Sequence, residues 1–585
     1  MSTQRLRSKT LETTGKTVIG TMGLAFFLAL GVVPPAKAEA AIVEKASAEL
    51  GQTAVGTGMV VDLSRLPQVS TGANLALPPP APRKGVSEAE YAKRKAEAMG
   101  SFSAAPTNES GLPPAGSTPG ILTPSTSVQI PGLQQQGGIA PSDMALAVSG
   151  SWVVQAVNSQ IAVWSKAGTL QLGFPKSLGG AGGFFPGATA DIGDPRAFYD
   201  WNRGRFVVVA DDFTGGRMWL AASQSSDPRG LWNIYSFAPW GAANCRSSVA
   251  SCPDFPMVGF DDTTIYLSLN FFPAAGGFSD WVLLLPKSQI YANQGFTYNF
   301  WFNLSFGGLV DTVQPVVLQG SSEHPRAGFA INSRNFAFGG GQCSTAPCNG
   351  LIVWAFSNNL TTTGSPGPEI SAVSVATAND YRLPSNANQP GGAFSIDTGD
   401  VRISATPNYH AGLISAALNT NGSDGHSHVL WFQVRPFLND NNPRCTGTFN
   451  NLCPGIIGAQ LVNEDCYFCA GQGAAGSTYY GAVQPNDAGD LTMVFVYSDN
   501  NIFPESAYVS RRTTLQPNIM HDNGLVLCGN ASFWGGGRWG DYSATASDIA
   551  NAKQNYMWFS AMNSTPGGRW GACIGRNGFT AINQP

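Results

Sequence analysis

From about residue 125 onward, apolar and polar positions alternate in short runs broken by Gly, Pro, Asn, Asp and Ser. A period of two with turn residues at the breaks predicts strands. No series of helical patterns alternates with these runs, which argues against a parallel α/β fold. Aligned by their polar starts, the runs form seven units. Each offers a first strand of small residues, a second apolar strand and a third strand carrying an aromatic. The starts are "SDMALAV" at Asp143, "GDPRAFYD" at Asp194, "PDFPMVGFDD" at Asp254, "QPVVLQGSS" at Gln314, "GDVRISATPNYH" at Asp400, "STYYGAVQPND" at Ser477 and "GDYSATASD" at Asp541. Their spacing of roughly 50 to 85 residues is in the range of propeller blades once loops are allowed for. The predicted fold is all-β, a β-propeller of seven blades, with six as the alternative count. Small first strands suit a crowded central channel, and aromatic later strands fill the space between blades. "LWNIYSFAP" and "GIIGAQLVN" are candidate outer strands.

The N-terminal part reads differently. Residues 39–125 form a Pro/Ala-rich arm or linker, read as flexible, with "LALPPPAPRKG" extended and one helix expected from Ser87 to Met99. Before it stand Arg5, Arg7, Lys9 and Lys16, an apolar run from Val18 to Val33, and the small-x-small Ala36-Lys37-Ala38. That order predicts a secretory signal at 1–38, removed after Ala38. The propeller domain is then 126–585. No later segment holds about 18 uninterrupted apolar residues, so no membrane span is expected after signal removal.

Composition sharpens the picture. Only 12% of the 585 residues are charged, well below the ~25% of ordinary domains. Hydrophobic residues make up 43%, enough to bury a large core. The net charge of -4 and the lack of a basic block past the N-terminus exclude a nucleic-acid partner and speak against anionic lipid. Ten cysteines in an exported chain point to disulfides and to a periplasmic or extracellular location. Close neighbours are Cys245/Cys252, Cys343/Cys348, Cys445/Cys453 and Cys466/Cys469, which leaves Cys528 and Cys573. Sequence alone does not fix this connectivity.

Candidate chemistry gathers at the blade starts. Asp143, Asp194, Asp254, Asp400 and Asp541 each stand at the opening of a first strand. Taken singly, each caps a turn. Taken together, they would meet at one mouth of the channel, an arrangement that needs neutralisation. Arg196, Arg402 and Arg538 lie within a few residues of three of them, and calcium is the other neutraliser suited to such oxygens. Paired carboxylates across a pocket could cleave a glycosidic bond. A base such as His410 or Tyr542 beside an arginine would suit a lyase. Catalytic candidates are therefore Asp541, Tyr542, Asp194 and His410. Substrate-binding candidates are Arg196, Arg402, Arg538, Trp539, Asp143, Asp254 and Asp400. Trp201, Trp534 and Trp539 stand in turn or glycine-rich segments as candidate surface platforms for sugar rings. His426 and His428 have metal-ligand spacing, with a solvated hairpin as the plainer reading. No serine-nucleophile elbow, HExxH, Walker loop or dinucleotide fingerprint occurs.

The phrases "PSDMALAV", "DPRAFYD", "RFVVVADD", "AASQSSDPRGLWNIYSF", "DFPMVGF" and "RWGDYSATASD" resemble a family of exported bacterial β-propellers described as sialidase-like, of BNR or Asp-box type. The resemblance spans about Pro131 to Arg576. It implies a propeller and secretion, and supplies no catalytic set. "SSDPRGLW", Ser225 to Trp232, is similar to an Asp-box with its glycine shifted to Gly230, a structural turn in that family. The chain departs from true sialidases in having one imperfect box and no glutamate beside Tyr542 in sequence. The expected function is action on, or binding of, an extracellular polysaccharide or glycan at the channel mouth, as glycoside hydrolase or polysaccharide lyase. The alternative is a non-catalytic propeller that binds carbohydrate or a surface partner.

Overall fold

The computed structural model describes residues 46–69, 85–100 and 123–579, apart from 138, 248–249, 321–322, 360–366, 392–394, 440–454, 468–475, 514–519, 521–523, 530–537 and 551–555. The expected signal at 1–38 lies outside the described residues.

Seven antiparallel blades form a β-propeller. Their innermost strands are Ala145–Val148, Ile192–Asp200, Cys252–Phe260, Gln314–Pro315, Asn408–His410, Ser477–Pro485 and Ala544–Asp548. These are the seven starts picked out by the alternation. Both candidate outer strands take the fourth place, as Leu231–Phe237 in blade 2 and Ile456–Tyr467 in blade 5.

Packing follows the composition. Trp354, Trp431 and Trp558 have 0% exposure and fill the layers between blades, as their apolar surroundings predict. Trp539 departs from expectation. It was read as a surface platform, yet it too has 0% exposure and belongs to the core formed mainly by blades 1, 2 and 7. Gly540 beside it is packed close, since a Cβ there would meet the Met562 sulfur. Trp201 is half-buried, and Trp534 lies outside the described residues.

Ring closure uses the start of the domain. Val128–Gln134 pairs antiparallel with Arg569–Asn577, so blade 7 takes its outermost strand from the N-terminal side of the propeller. Between blades 4 and 5 the inner chain changes sheets. Gln314–Pro315 pairs within blade 4, and Val317–Leu318 then runs parallel to Asn408 and Tyr409 of blade 5. The Phe260 N–H donates to the Val316 carbonyl at 3.1 Å, so blade 3 joins the same seam.

Two stretches of the arm lie on the propeller. Ala46–Val55 adds a fifth strand to blade 3, and Met59–Asp62 adds one to blade 2. These strands cover sheet edges that would otherwise offer unpaired backbone groups. The expected helix is present as Glu88–Gly100, with the Glu90 N–H donating to the Ser87 hydroxyl at 3.2 Å.

Three disulfides link described residues: Cys245–Cys252, Cys343–Cys348 and Cys528–Cys573. The first two are the close neighbours expected to pair, and the third joins the two cysteines left over. Cys466 is also disulfide-bonded. The "SSDPRGLW" segment forms the turn before the outer strand of blade 2. There the Trp232 indole donates to the Pro228 carbonyl at 2.8 Å, and Asp227 pairs with Arg229. The segment works as a turn staple, as its likeness to an Asp-box implies.

Candidate functional site

All inner strands run the same way along the channel, so their starts share one mouth and their hairpin ends share the other. Asp143, Asp194 and Asp541 meet at the first mouth. The Asp541 N–H donates to Asp143 Oδ1 at 2.8 Å, and Asp143 hydrogen-bonds Asp194 through their side chains. Asp254 lies close enough to Asp194 to act on its charge, and Asp541 does the same for Arg402.

Backbone geometry explains how these carboxylates come together. Asp143, Asp194, Phe255, Thr312 and Tyr480 all have φ between 38° and 57°. Inner strands of blades 2, 3 and 6 carry a bulge there, as the register slips between Gly193 and Arg196, Asp254 and Met257, and Tyr479 and Ala482. A bulge with a left-handed residue turns the side chain out of the ladder.

In blades 2, 4 and 6 an asparagine of the preceding blade holds the left-handed residue. Asn158 Oδ1 accepts from the Asp194 N–H at 2.6 Å, Asn270 Oδ1 from Thr312 at 2.8 Å and Asn419 Oδ1 from Tyr480 at 2.9 Å. Sequence reasoning passed over these asparagines. Their signal was present as "AVNS", "SLNF" and "ALNT", one at the end of each of three second strands. Asn158 also donates to Asp143 Oδ2 at 2.7 Å and to the Pro141 carbonyl at 2.9 Å.

Charge is settled by protons and arginines. Burial, reinforced by the Asp541 charge, pushes Asp143 up to about 7. Burial and then the Asp143 charge push Asp194 well above the usual carboxylate range. Two carboxyl groups in contact cannot both ionise readily, so the pair retains a proton near neutrality. Arg538 Nη2 donates to Asp541 Oδ2 at 2.5 Å. Burial opposes the Arg538 charge, but Asp541 and then Asp143 outweigh it. Arg402 Nε lies 2.8 and 2.9 Å from the two Asp400 oxygens. Asp311, another residue the sequence reading missed, lies beside this pair, and burial pushes it up to about 7. Among the described residues, no group of three or more His, Cys, Asp or Glu side chains is arranged to hold a metal ion.

The centre of the mouth is filled. The Arg196 guanidinium carbon lies 3.3 Å from the Tyr542 ring centroid and 4.9 Å from that of Phe255. On the other side of Phe255, the Arg402 guanidinium lies at 4.7 Å. Tyr542 is fully buried, its hydroxyl donates to the Pro195 carbonyl at 2.9 Å, and burial holds the phenol neutral. This geometry gives Tyr542 and Arg196 the place of a central plug.

His410 is at the far mouth. It ends the inner strand of blade 5, and its Nδ1 lies 2.9 Å from Glu323 Oε1. Six residues separate Asp194 from Asp200 along an inner strand, so the two mouths stand roughly 20 Å apart. His410 and Asp541 therefore serve no common reacting atom. The His426/His428 pair also differs from the solvated hairpin expected of it. His428 is fully buried, with Nε2 2.9 Å from Asp424 Oδ2 across its own turn.

The arm helix lies over the carboxylate mouth. Tyr91 donates to the Gly399 carbonyl at 2.7 Å, Lys95 to the Pro384 carbonyl at 2.8 Å, and Arg94 to the Phe338 carbonyl at 2.8 Å. A cleft of about 360 Å³ remains between the helix and the propeller. Tyr91 and Lys95 line it from the helix, and Asp397 and Arg538 line it from the propeller.

No family model and no curated protein matches the chain. Among solved structures, it is similar to the α-L-arabinanase of Penicillium chrysogenum, a structure complexed with arabinobiose. That match has 8% identity and a TM-score of 0.33, covering 77% of this chain and 98% of the other. Drosophila Plexin A matches at 9% identity and a TM-score of 0.29, with 78% and 88% covered. A subtype N11 neuraminidase-like protein of A/flat-faced bat/Peru/033/2010 matches at 10% identity and a TM-score of 0.24, with 50% and 70% covered. Likeness at this level carries no argument about activity, and the propeller rests on its own seven sheets.

Proposed function

We propose that the chain is an exported propeller that cleaves a glycosidic bond at the carboxylate mouth. One observation carries this reading. The buried Asp143–Asp194 pair, retaining a proton near neutrality, adjoins the Arg538–Asp541 ion pair, and Arg538 opens onto the cleft. Glycoside cleavage needs a carboxylic acid to protonate the leaving oxygen and a carboxylate to stabilise or capture the sugar cation. In this reading the Asp143–Asp194 pair holds the proton and Asp541 is the carboxylate. Arg538 binds substrate hydroxyls or a uronate carboxylate. Disulfides accord with an oxidising compartment outside the cytoplasm.

A second reading, glycan binding without turnover, is favoured by the full burial of Asp143 and Tyr542 beneath the mouth. Product analysis on plant, algal and bacterial polysaccharides separates the two. Asp541→Asn is expected to lower turnover by about 10² to 10⁴-fold while binding on a glycan array stays within a few-fold. Binding of the wild type with no released product would leave the second reading. Neither binding nor product would remove both.

A further inference from the structure

Arg196 is buried to 2% exposure where the inner strands converge, yet its contacts are neutral. Nε donates to the Pro256 carbonyl at 3.0 Å, and Nη1 donates to the Ser404 carbonyl at 2.8 Å. The rings of Tyr542 and Phe255 cover its faces. Among the described residues, Arg196 has no ion-pair partner, and Nη2 has no hydrogen-bond partner. A guanidinium removed from water and left with an open donor is costly unless a counter-charge reaches it. The nearby Asp143 and Asp194 retain protons near neutrality, and the Asp541 carboxylate, which also acts on Arg196, is already paired with Arg538, so the compensation is partial.

Ser543 meets the same condition from another blade. It is 1% exposed, and its hydroxyl has no partner among the described residues. Arg196 and Ser543 both line the central channel, together with Met144, Ala197 and Thr406. The free volume there is about 30 Å³. That is room for one or two water-sized particles and too little for a polyatomic anion with its own hydration. Two unused donors, one of them cationic, beside a space of that size select a small acceptor that carries negative charge.

We propose that the channel beneath the carboxylate mouth binds a single halide-sized anion, chloride being the natural case, through Nη2 of Arg196 and Oγ of Ser543. The ion would complete the charge balance of Arg196 and so fix the Tyr542 plug and the Pro195 carbonyl beside Asp194. It takes no part in bond cleavage, and the proposal stands independently of any glycan activity.

The full chain tests this by thermal unfolding in sodium chloride, bromide or gluconate at equal ionic strength. A bound halide raises Tm by about 2 to 5 °C when its concentration is far above Kd, with no such rise in gluconate. Ser543→Ala is expected to shift the chloride titration about tenfold to higher concentration while leaving Tm in gluconate within a degree of wild type. Crystals soaked in bromide are expected to show an anomalous peak beside Arg196 and Ser543. Equal Tm in all three salts overturns the proposal, as does bromide absent from the channel with water alone bridging the two residues.

Discussion

Asn158→Ala is expected to destabilise the propeller by about 3 to 5 kcal/mol, the sum of several buried hydrogen bonds lost on one side only. The alanine would leave the Asp194 N–H without its acceptor. It would also strip a donor from Asp143 Oδ2 and another from the Pro141 carbonyl. All three groups stay buried, so water does not readily replace what is removed. Urea unfolding is the check, read as a lower midpoint at unchanged slope. A loss under about 1 kcal/mol would mean that the asparagine only accompanies the bulge and does not hold it. The same change should push Asp143 further up, because the Asn158 hydrogen bond favours its charged form.

Asp311→Asn is expected to act in the opposite direction, and only above acid pH. Asp311 is 1% exposed. It accepts from the Gly339 N–H at 3.2 Å, and its other oxygen has no partner among the described residues. The ordinary carboxyl ionises near 3.8, and burial raises the folded one to about 7. Well below pH 3.8 both states hold the proton and the group is neutral to stability. As pH climbs toward 7, the unfolded chain releases its proton first, so folding is progressively disfavoured, and the loss levels off above 7. The asparagine cannot ionise. It should therefore leave stability at pH 4 nearly unchanged and add about 2 to 4 kcal/mol at pH 8. Melting temperatures of both proteins at the two pH values decide it. A Tm difference independent of pH would show that Asp311 is ionised in the folded protein after all.

The wheel itself was legible because blade starts repeat. The polar starts at Asp143, Asp194, Asp254, Asp400 and Asp541 recur before a short alternating strand, and that repeat marks the innermost strand of a blade. The meeting of those aspartates at one mouth follows from the same repeat. The asparagine staples escaped because Asn reads as a turn residue, and "SLNF" gives no sign that Asn270 reaches the next blade. The outer strands of the arm escaped for another reason. Ala46–Val55 is mostly half-buried or exposed and joins blade 3 through backbone hydrogen bonds, which demand no apolar stripe. His410 was legible as the end of an inner strand, and the structure places it there, away from the starts where the aspartates stand. Tyr542 and Arg196 looked like chemistry because a phenol beside a guanidinium is reactive when exposed, and sequence does not report that the two stack beneath the surface.

The strand that shuts the ring is made before any blade, and its partner is made last. A ribosome delivering this chain presents Val128–Gln134 roughly 440 residues ahead of Arg569–Asn577. Throughout that interval the would-be seventh sheet has no margin, and the growing wheel exposes the flank where one more strand belongs. Any stray extended segment can occupy it, so the final stretch of synthesis is when two nascent copies are most apt to trade strands.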